Sequence, residues 1–196
     1  MSEQETSAQR HARERRTSGT GDMVRSMLVL LLPILVLGWL LTNRVSEPPL
    51  PTVDWRAQVA AARAEAPYPV LAPSELPGGG QDWRCTKASW IPVGRPGLNQ
   101  EPSPRNQWEL GFIAPSGVHI GLTQGDLAPV PLIASATRDG LADGETRIGQ
   151  GSWERYISKD GRTRSLVQRT DRGVAIVSGD TDYPALEEFA GTLTDH

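Results

Sequence analysis

Nucleophilic catalysis is the first chemistry to look for, because it needs a nucleophile, a general base and a group that orients the base. Beyond the apolar segment that ends at residue 42, the histidines that could act as base are His119 and the C-terminal His196. His119 can be grouped with Ser116 and Asp126, but their spacing matches no catalytic arrangement. Since His119 alternates with apolar neighbours, we interpret it as a surface histidine and predict no catalytic residue.

Three other segments match functional motifs only in part. Residues 149–153 (GQGSW) lack the Gly-x-Ser-x-Gly order of a nucleophile elbow. The three glycines at 78–80 are followed by neither Lys-Ser/Thr nor a helix, as a phosphate loop requires. The acidic stretch 139–145 does not follow the calcium-loop pattern. Cys85 is the single cysteine, which excludes an internal disulfide and a cysteine-rich metal site, so we predict neither metal nor cofactor.

The tryptophan content is the unusual feature of the chain, with six in 196 residues. Tryptophan buries a large area in a core, and its flat face also binds sugars and lipids. We expect Trp153 to be exposed, because it begins a strand between two polar residues. The glycine-flanked segment 121–126 contributes Gln124 and Asp126, where a ligand can approach the backbone closely. Trp153, Gln124 and Asp126 are the predicted ligand-binding residues; the alternative is that both segments are structural.

An apolar segment precedes the part of the chain that holds these residues. Residues 26–42 carry no charge, are rich in Leu, Val and Ile, and lie between Arg25 and Arg44. About 17 residues is the shortest helix that crosses a bilayer core. A central Pro33 is tolerated there, and Trp39 suits the headgroup region. We predict a transmembrane helix at 26–42 with the lipid bilayer as its partner. A cleaved signal peptide is the alternative, but no small-x-small cleavage site follows.

The arginine distribution predicts the orientation of this helix. Two arginines, Arg44 and Arg56, closely follow the segment, whereas five precede it: Arg10, Arg13, Arg15, Arg16 and Arg25. The N-terminus is therefore expected in the cytoplasm and the C-terminal part outside the plasma membrane. Residues 1–25 have few apolar side chains and are predicted to be a disordered tail. The C-terminal part has more acidic than basic groups, so we do not expect nucleic acid as a partner.

Residues 43–66 predict a linker and a short helix. The proline-rich stretch 45–51 favours an extended spacer. Asp54 is a good N-cap for an amphipathic helix that ends before Pro67. Residues 67–196 then predict a domain.

Alternating apolar residues and glycine-containing turns predict the strands of this domain, at 83–91, 107–112, 118–123, 145–148, 152–158, 163–170 and 174–178. Helices are predicted near 127–137 and after Asp182, where the apolar stripe is Leu186, Phe189, Ala190 and Leu193. Residues 174–177 are apolar on both faces, which requires cover on both sides of a sheet. The fold class is therefore α+β, an antiparallel sheet packed by helices. The element order is similar to the α/β/α sandwich of PsbP-like and Mog1-like proteins, a resemblance that implies partner binding.

Several short motifs accompany the arginine-bearing tail and the single apolar segment. They are Gly121-Leu122-Thr123-Gln124-Gly125-Asp126, Gly151-Ser152-Trp153-Glu154 and Ser178-Gly179-Asp180. Together they resemble an uncharacterised family of actinobacterial single-pass membrane proteins with an extracytoplasmic domain of unknown function. The resemblance covers most of residues 23–193. It implies a cell-envelope setting and brings no activity, cofactor or catalytic residue.

Three functions are compatible with these observations. We favour a membrane-anchored binding or interaction module of the cell envelope, with a small molecule or an envelope protein as partner. The first alternative is an envelope enzyme, in which carboxylates such as Asp126, Asp139 and Asp180 would converge in a cleft. The second alternative is a structural subunit of a membrane complex.

Overall fold

The computed structural model describes residues 20–44, 54–97 and 100–196, with side chains of residues 23–39 in the first helix. The chain divides into two compact units, residues 1–49 and residues 50–196. The predicted spacer at 45–51 and most of the predicted tail lie outside the described residues. We call the second unit the C-terminal domain.

The first unit contains one long helix, α1 (Thr20–Arg44), with Pro33 inside it. It begins six residues before the predicted segment. Its large apolar side chains from Val24 to Trp39 are exposed. Among the described residues, no helix combines the length and apolarity needed to cross a bilayer. A helix is therefore present at the predicted position, but its transmembrane character is not confirmed.

The C-terminal domain alternates short helices with strands. Its helices are α2 (Trp55–Glu65), α3 (Pro129–Ala136) and α4 (Tyr183–Gly191), and a 3₁₀ turn spans Pro77–Gly80. Its strands are β1 (Ala72–Pro73), β2 (Arg84–Ile91), β3 (Gln107–Ile113), β4 (His119–Gly125), β5 (Leu141–Ile148), β6 (Gly151–Ile157), β7 (Arg164–Thr170), β8 (Gly173–Gly179) and β9 (Leu193–Thr194). Strands β2 to β8 form one antiparallel sheet in the order β2-β3-β4-β8-β7-β6-β5, and β1 pairs with β9.

Both faces of the large sheet are buried where β8 crosses its centre. Ala175 and Val177 belong to the larger core, and Val174 and Ile176 belong to a second core on the other face. Helices α2 and α4 contribute to the first core, and α3 contributes to the second. The predicted cover on both sides of residues 174–177 is therefore confirmed, and the α+β antiparallel architecture with it.

Two element boundaries differ from the prediction. Strand β5 begins at Leu141, four residues early, because the Asp143-Gly144 pair forms a β-bulge inside the strand. Gly144 has φ 102°, a conformation that glycine adopts without strain. At the C-terminus, α4 ends at Gly191, and Leu193 pairs with Pro73 in the small sheet rather than extending the helix.

Candidate functional site

Trp153 is buried rather than exposed, so that expectation is wrong. It has 3% exposure and belongs to the larger core. Its polar neighbours Ser152 and Glu154 point to the opposite face, because side chains alternate along β6. Trp153 therefore packs inside the domain, and its predicted role in ligand binding stays untested.

Gln124 is also buried, with 5% exposure, and its amide joins two parts of the backbone. Its Oε1 accepts a hydrogen bond from the Leu71 N–H at 2.8 Å, and its Nε2 donates to the Pro69 carbonyl at 3.2 Å. The nearby Tyr68 hydroxyl donates to the Asn106 carbonyl at 3.3 Å. Burial first, and the charge of Asp126 second, raise the pKa of Tyr68 far above its usual value. Gln124 thus fastens the segment after α2 to strand β4.

Asp126 is hydrogen-bonded to the end of the loop between β2 and β3. Its carboxylate accepts hydrogen bonds from the Asn106 backbone N–H at 3.0 Å and the Asn106 Nδ2 at 2.6 Å. Asn106 in turn accepts from the Val93 N–H at 2.9 Å. These hydrogen bonds give the polar residue that follows β4 a structural role that requires no ligand.

A small cavity lies beside Gln124. It has a volume of about 190 Å³ and is lined in part by Tyr68, Gln168, Thr170 and Asp195. Ligand pockets usually measure about 300–1,000 Å³. Of the three predicted residues, Gln124 therefore lines a concave site that is small for an organic ligand, and Trp153 and Asp126 lie outside its lining.

A larger cleft of about 520 Å³ opens at the start of the C-terminal domain. We call it the Trp83 cleft; its lining comprises Asp54, Trp55, Arg56, Ser74, Glu75, Leu76, Gly79, Gly80, Trp83, Cys85 and Phe112. Its volume falls within the range of small-molecule sites. It lies on the sheet face that α2 and α4 cover, because Cys85 and Phe112 belong to the larger core.

Aromatic rings form one wall of the Trp83 cleft. The Trp83 ring is partly exposed and stacks on Phe189, with centroids 5.8 Å apart and planes inclined by 23°. Trp55 and Trp83 both meet Phe112 edge to face, at 5.8 and 6.3 Å. Phe112 and Phe189 are completely buried, so the core holds the tryptophan rings at fixed positions.

Local sequence chemistry positions this wall. Asp54 caps α2 by accepting a hydrogen bond from the Arg56 N–H at 3.2 Å, which places Trp55 at the first helical position. The turn Pro77–Gly80 brings the chain to Trp83 through three glycines with φ between 66° and 76°. Only glycine adopts three such conformations in succession at low cost. The glycines at 78–80 therefore form the turn from which Gly79 and Gly80 line the cleft.

Polar side chains surround the aromatic wall. Asp54, Arg56, Ser74 and Glu75 line the opening, and the Arg56 guanidinium lies 4.6 Å from the centre of the Trp55 ring. Cys85 is buried, and burial raises the pKa of its thiol, which favours the protonated form. The Ser74 hydroxyl donates to the Thr192 carbonyl, and the Cys85 thiol donates to the Lys87 carbonyl, so both are hydrogen-bonded to the backbone rather than to a base.

Two carboxylates of the enzyme hypothesis, Asp126 and Asp180, lie in different surroundings. Asp126 is bonded to Asn106, and Asp180 lines a different cavity with His119 and Arg138. Within the same described residues, no group of three or more His, Cys, Asp or Glu is arranged to hold a metal ion.

A family model for proteins of unknown function, DUF4245, matches residues 15–193. The chain belongs to the DUF4245 family. The match extends from the N-terminal tail through α1 and the C-terminal domain up to residue 193, so the Trp83 cleft lies inside the DUF4245 region. None of the curated proteins matches the chain. The predicted membership of a family with a domain of unknown function is confirmed, whereas its membrane and actinobacterial setting stays a prediction.

Proposed function

We propose that this DUF4245 chain is a membrane-anchored binding module of the cell envelope, with the Trp83 cleft as its ligand site. The observation that carries this proposal is the cleft itself, about 520 Å³ beside the partly exposed Trp83 ring. A large concave site with an aromatic wall and a few polar groups is the usual form of a small-molecule site. The Ser74 hydroxyl and the Cys85 thiol of its lining donate to backbone carbonyls, an arrangement that favours binding over catalysis.

The chemistry of the cleft indicates the class of ligand. The partly exposed Trp83 ring offers a flat apolar surface, and Asp54, Arg56 and Glu75 offer charged acceptors and donors in the lining. A ring-bearing organic molecule with hydrophilic substituents would place its ring against Trp83 and its polar groups against these charged side chains.

Membrane anchorage is supported by α1. Its described apolar side chains, from Val24 to Trp39, are exposed, and residues 26–42 carry no charge. Each exposed Å² of apolar surface costs about 25 cal/mol in water. A lipid environment would remove this cost. The arginine excess before α1 favours a cytoplasmic N-terminus, which would place the C-terminal domain outside the plasma membrane.

A protein partner is the second candidate for covering α1. The same exposed side chains would pack against a helix of another membrane protein, and the chain would then be a subunit of a complex. This candidate predicts stable co-purification with that protein after detergent extraction, whereas a simple lipid anchor is extracted alone.

Cysteine labelling tests the anchor and its orientation. Cys85 is buried, so a Cys85→Ser background removes the single native thiol with little exposed surface changed. Ser7→Cys marks the tail, and Lys159→Cys marks an exposed turn of the C-terminal domain. A membrane-impermeant maleimide should label Lys159→Cys in intact cells and Ser7→Cys only after permeabilisation. The reverse pattern, or release of the protein from membranes by alkaline carbonate, would overturn the anchor.

A further inference from the structure

A second cavity lies on the opposite face of the sheet from the Trp83 cleft. It has a volume of about 370 Å³ and is lined by Gly117, Val118, His119, Ala136, Arg138, Thr163, Ser178, Gly179 and Asp180. We call it the Asp180 cavity. Three elements meet there, namely the end of α3, the start of β4 and the end of β8. Its volume is within the range of about 300–1,000 Å³ for ligand sites.

Opposite charges face one another loosely across this cavity. Asp180 accepts a hydrogen bond from the Thr163 hydroxyl at 2.5 Å. The guanidinium nitrogens of Arg138 and Arg162 lie 3.6 and 3.7 Å from its carboxylate oxygens, beyond the usual hydrogen-bond range of about 2.7–3.2 Å. Their side chains are 58% and 73% exposed. Asp180 therefore forms loose ion pairs with both arginines, and their exposed guanidinium groups keep room to donate to a ligand.

The carboxylate and the guanidinium group that line the cavity, Asp180 and Arg138, carry opposite charges. Asp160 and Arg162 lie outside the lining; a hydrogen bond from Ser158, and further the charges of Arg162 and Arg138, lower the pKa of Asp160. A simple anion would meet Asp180 and a simple cation would meet Arg138, so neither is favoured.

Small residues lie side by side in the sheet next to the cavity, and Ser178 is the one among them that lines it. The strand register aligns Gly111, Gly121, Ser178 and Ser165 across β3, β4, β8 and β7. Ser165 is completely buried, and its Oγ has no hydrogen-bond partner. An unsatisfied buried hydroxyl costs about 1–3 kcal/mol. Ser165 is the strand partner of Ser178, which lines the cavity, whereas Ser165 itself lies outside the lining.

The backbone holds Arg138 at the cavity in an uncommon conformation. Arg138 and Asp139 have φ of 55° and 52°, in the left-handed region that residues with a Cβ seldom adopt. Their N–H groups close the end of α3 by donating to the Ser135 and Ala134 carbonyls at 3.2 and 2.7 Å. Such conformations persist where the surrounding structure fixes them, and they are frequent at functional sites.

We propose that the Asp180 cavity binds a small zwitterion, such as a free α-amino acid. The ligand ammonium group would donate to Asp180, and its carboxylate would accept from the Arg138 guanidinium. The Ser178 hydroxyl and the His119 imidazole would contact the remaining polar part of the ligand. Arg138 and Asp180 place opposite charges next to each other in the cavity lining. A zwitterion matches this arrangement, because it is neutral overall and carries both charges close together.

Thermal-shift and calorimetric titrations of the full-length chain in detergent micelles test this site. The probes are each of the standard L-amino acids at millimolar concentration. Acetate and methylammonium are tested separately, because each carries one of the two charged groups of an amino acid. We expect saturable binding of at least one amino acid, and at least tenfold weaker binding of acetate and of methylammonium. Binding of acetate equal to that of the best amino acid, or binding of no amino acid, would overturn the proposal.

Two variants locate the binding. Asp180→Asn keeps an acceptor for Thr163 but loses the charge, and Arg138→Asn keeps a residue that tolerates the left-handed conformation. Each should weaken amino-acid binding at least tenfold without a change in the thermal midpoint of the unliganded protein. Arg172→Gln, at an exposed turn, and Trp83→Leu, in the other cleft, should leave the affinity unchanged. An unchanged affinity in Asp180→Asn would refute the assignment, independently of the Trp83 cleft.

Discussion

Trp83 stacks on Phe189, with ring centroids 5.8 Å apart, and this contact joins the residue before strand β2 to the C-terminal helix α4. Phe189 is completely buried, whereas Trp83 is partly exposed at the wall of the Trp83 cleft. One face of Trp83 therefore belongs to the core. The cleft depends on residues that lie more than one hundred positions apart, so its integrity can be tested together with the fold.

Gln124→Ala is expected to destabilise the domain. The change leaves the Leu71 N–H and the Pro69 carbonyl without the partner that Gln124 provides at 2.8 and 3.2 Å. Leaving buried polar groups unpaired costs about 1–3 kcal/mol for each group. Denaturant titration should show a loss of about 2 kcal/mol or more in the free energy of unfolding. Gln81→Ala, at an exposed position, is the matched control and should change it by less than about 0.5 kcal/mol.

Trp153→Ala is expected to destabilise the domain still more strongly. Trp153 is 3% exposed within the larger core, and truncating a buried tryptophan costs about 3–5 kcal/mol. Trp153→Phe should recover part of this loss. The measurement is the unfolding midpoint in denaturant, followed by circular dichroism. A Trp153→Ala protein with wild-type stability and weakened ligand binding would instead support the role predicted from the sequence.

His119 is expected to make stability fall on acidification. Partial burial first, and the charge of Lys87 second, lower the pKa of His119 below 6.5, while Asp180 acts in the opposite direction. A lowered pKa in the folded state means that the unfolded chain binds the proton more tightly. Stability is therefore lost as the pH falls below about 6.5 towards the pKa of the folded state. His119→Gln should have a smaller decrease in unfolding free energy than wild type between pH 7 and pH 5. Equal decreases would show that His119 titrates alike in both states.

The local patterns predicted most of the sheet. The β3–β4 hairpin was predictable because apolar and polar residues alternate on both sides of one turn, and the structure pairs Leu110 with Leu122 and Phe112 with Ile120. The cap at Asp54 was predictable because a capping side chain acts on its own helix. The likeness in element order to PsbP-like and Mog1-like proteins stays a prediction.

The remaining features depend on contacts between distant residues. The pairing of Ala72–Pro73 with Leu193–Thr194 involves two residues on each side, too few for a sequence pattern. The side of β6 that Trp153 faces was misjudged because both of its sequence neighbours are polar, although the strand has a buried face. The Trp83 cleft brings together Trp55, Glu75 and Trp83 from separate elements. The three glycines at 78–80 were the local signal that the chain bends sharply before Trp83.

Native mass spectrometry of the full-length chain, extracted in detergent from the cells that produce it, tests the binding function most directly. The proteins to compare are wild type, Trp83→Leu in the cleft, and Trp90→Leu, whose indole donates instead to Glu65. We predict that wild type and Trp90→Leu retain an additional small-molecule mass and that Trp83→Leu loses it while remaining folded. A bare wild-type chain, or the same additional mass on Trp83→Leu, would contradict the proposal that the Trp83 cleft is a ligand site.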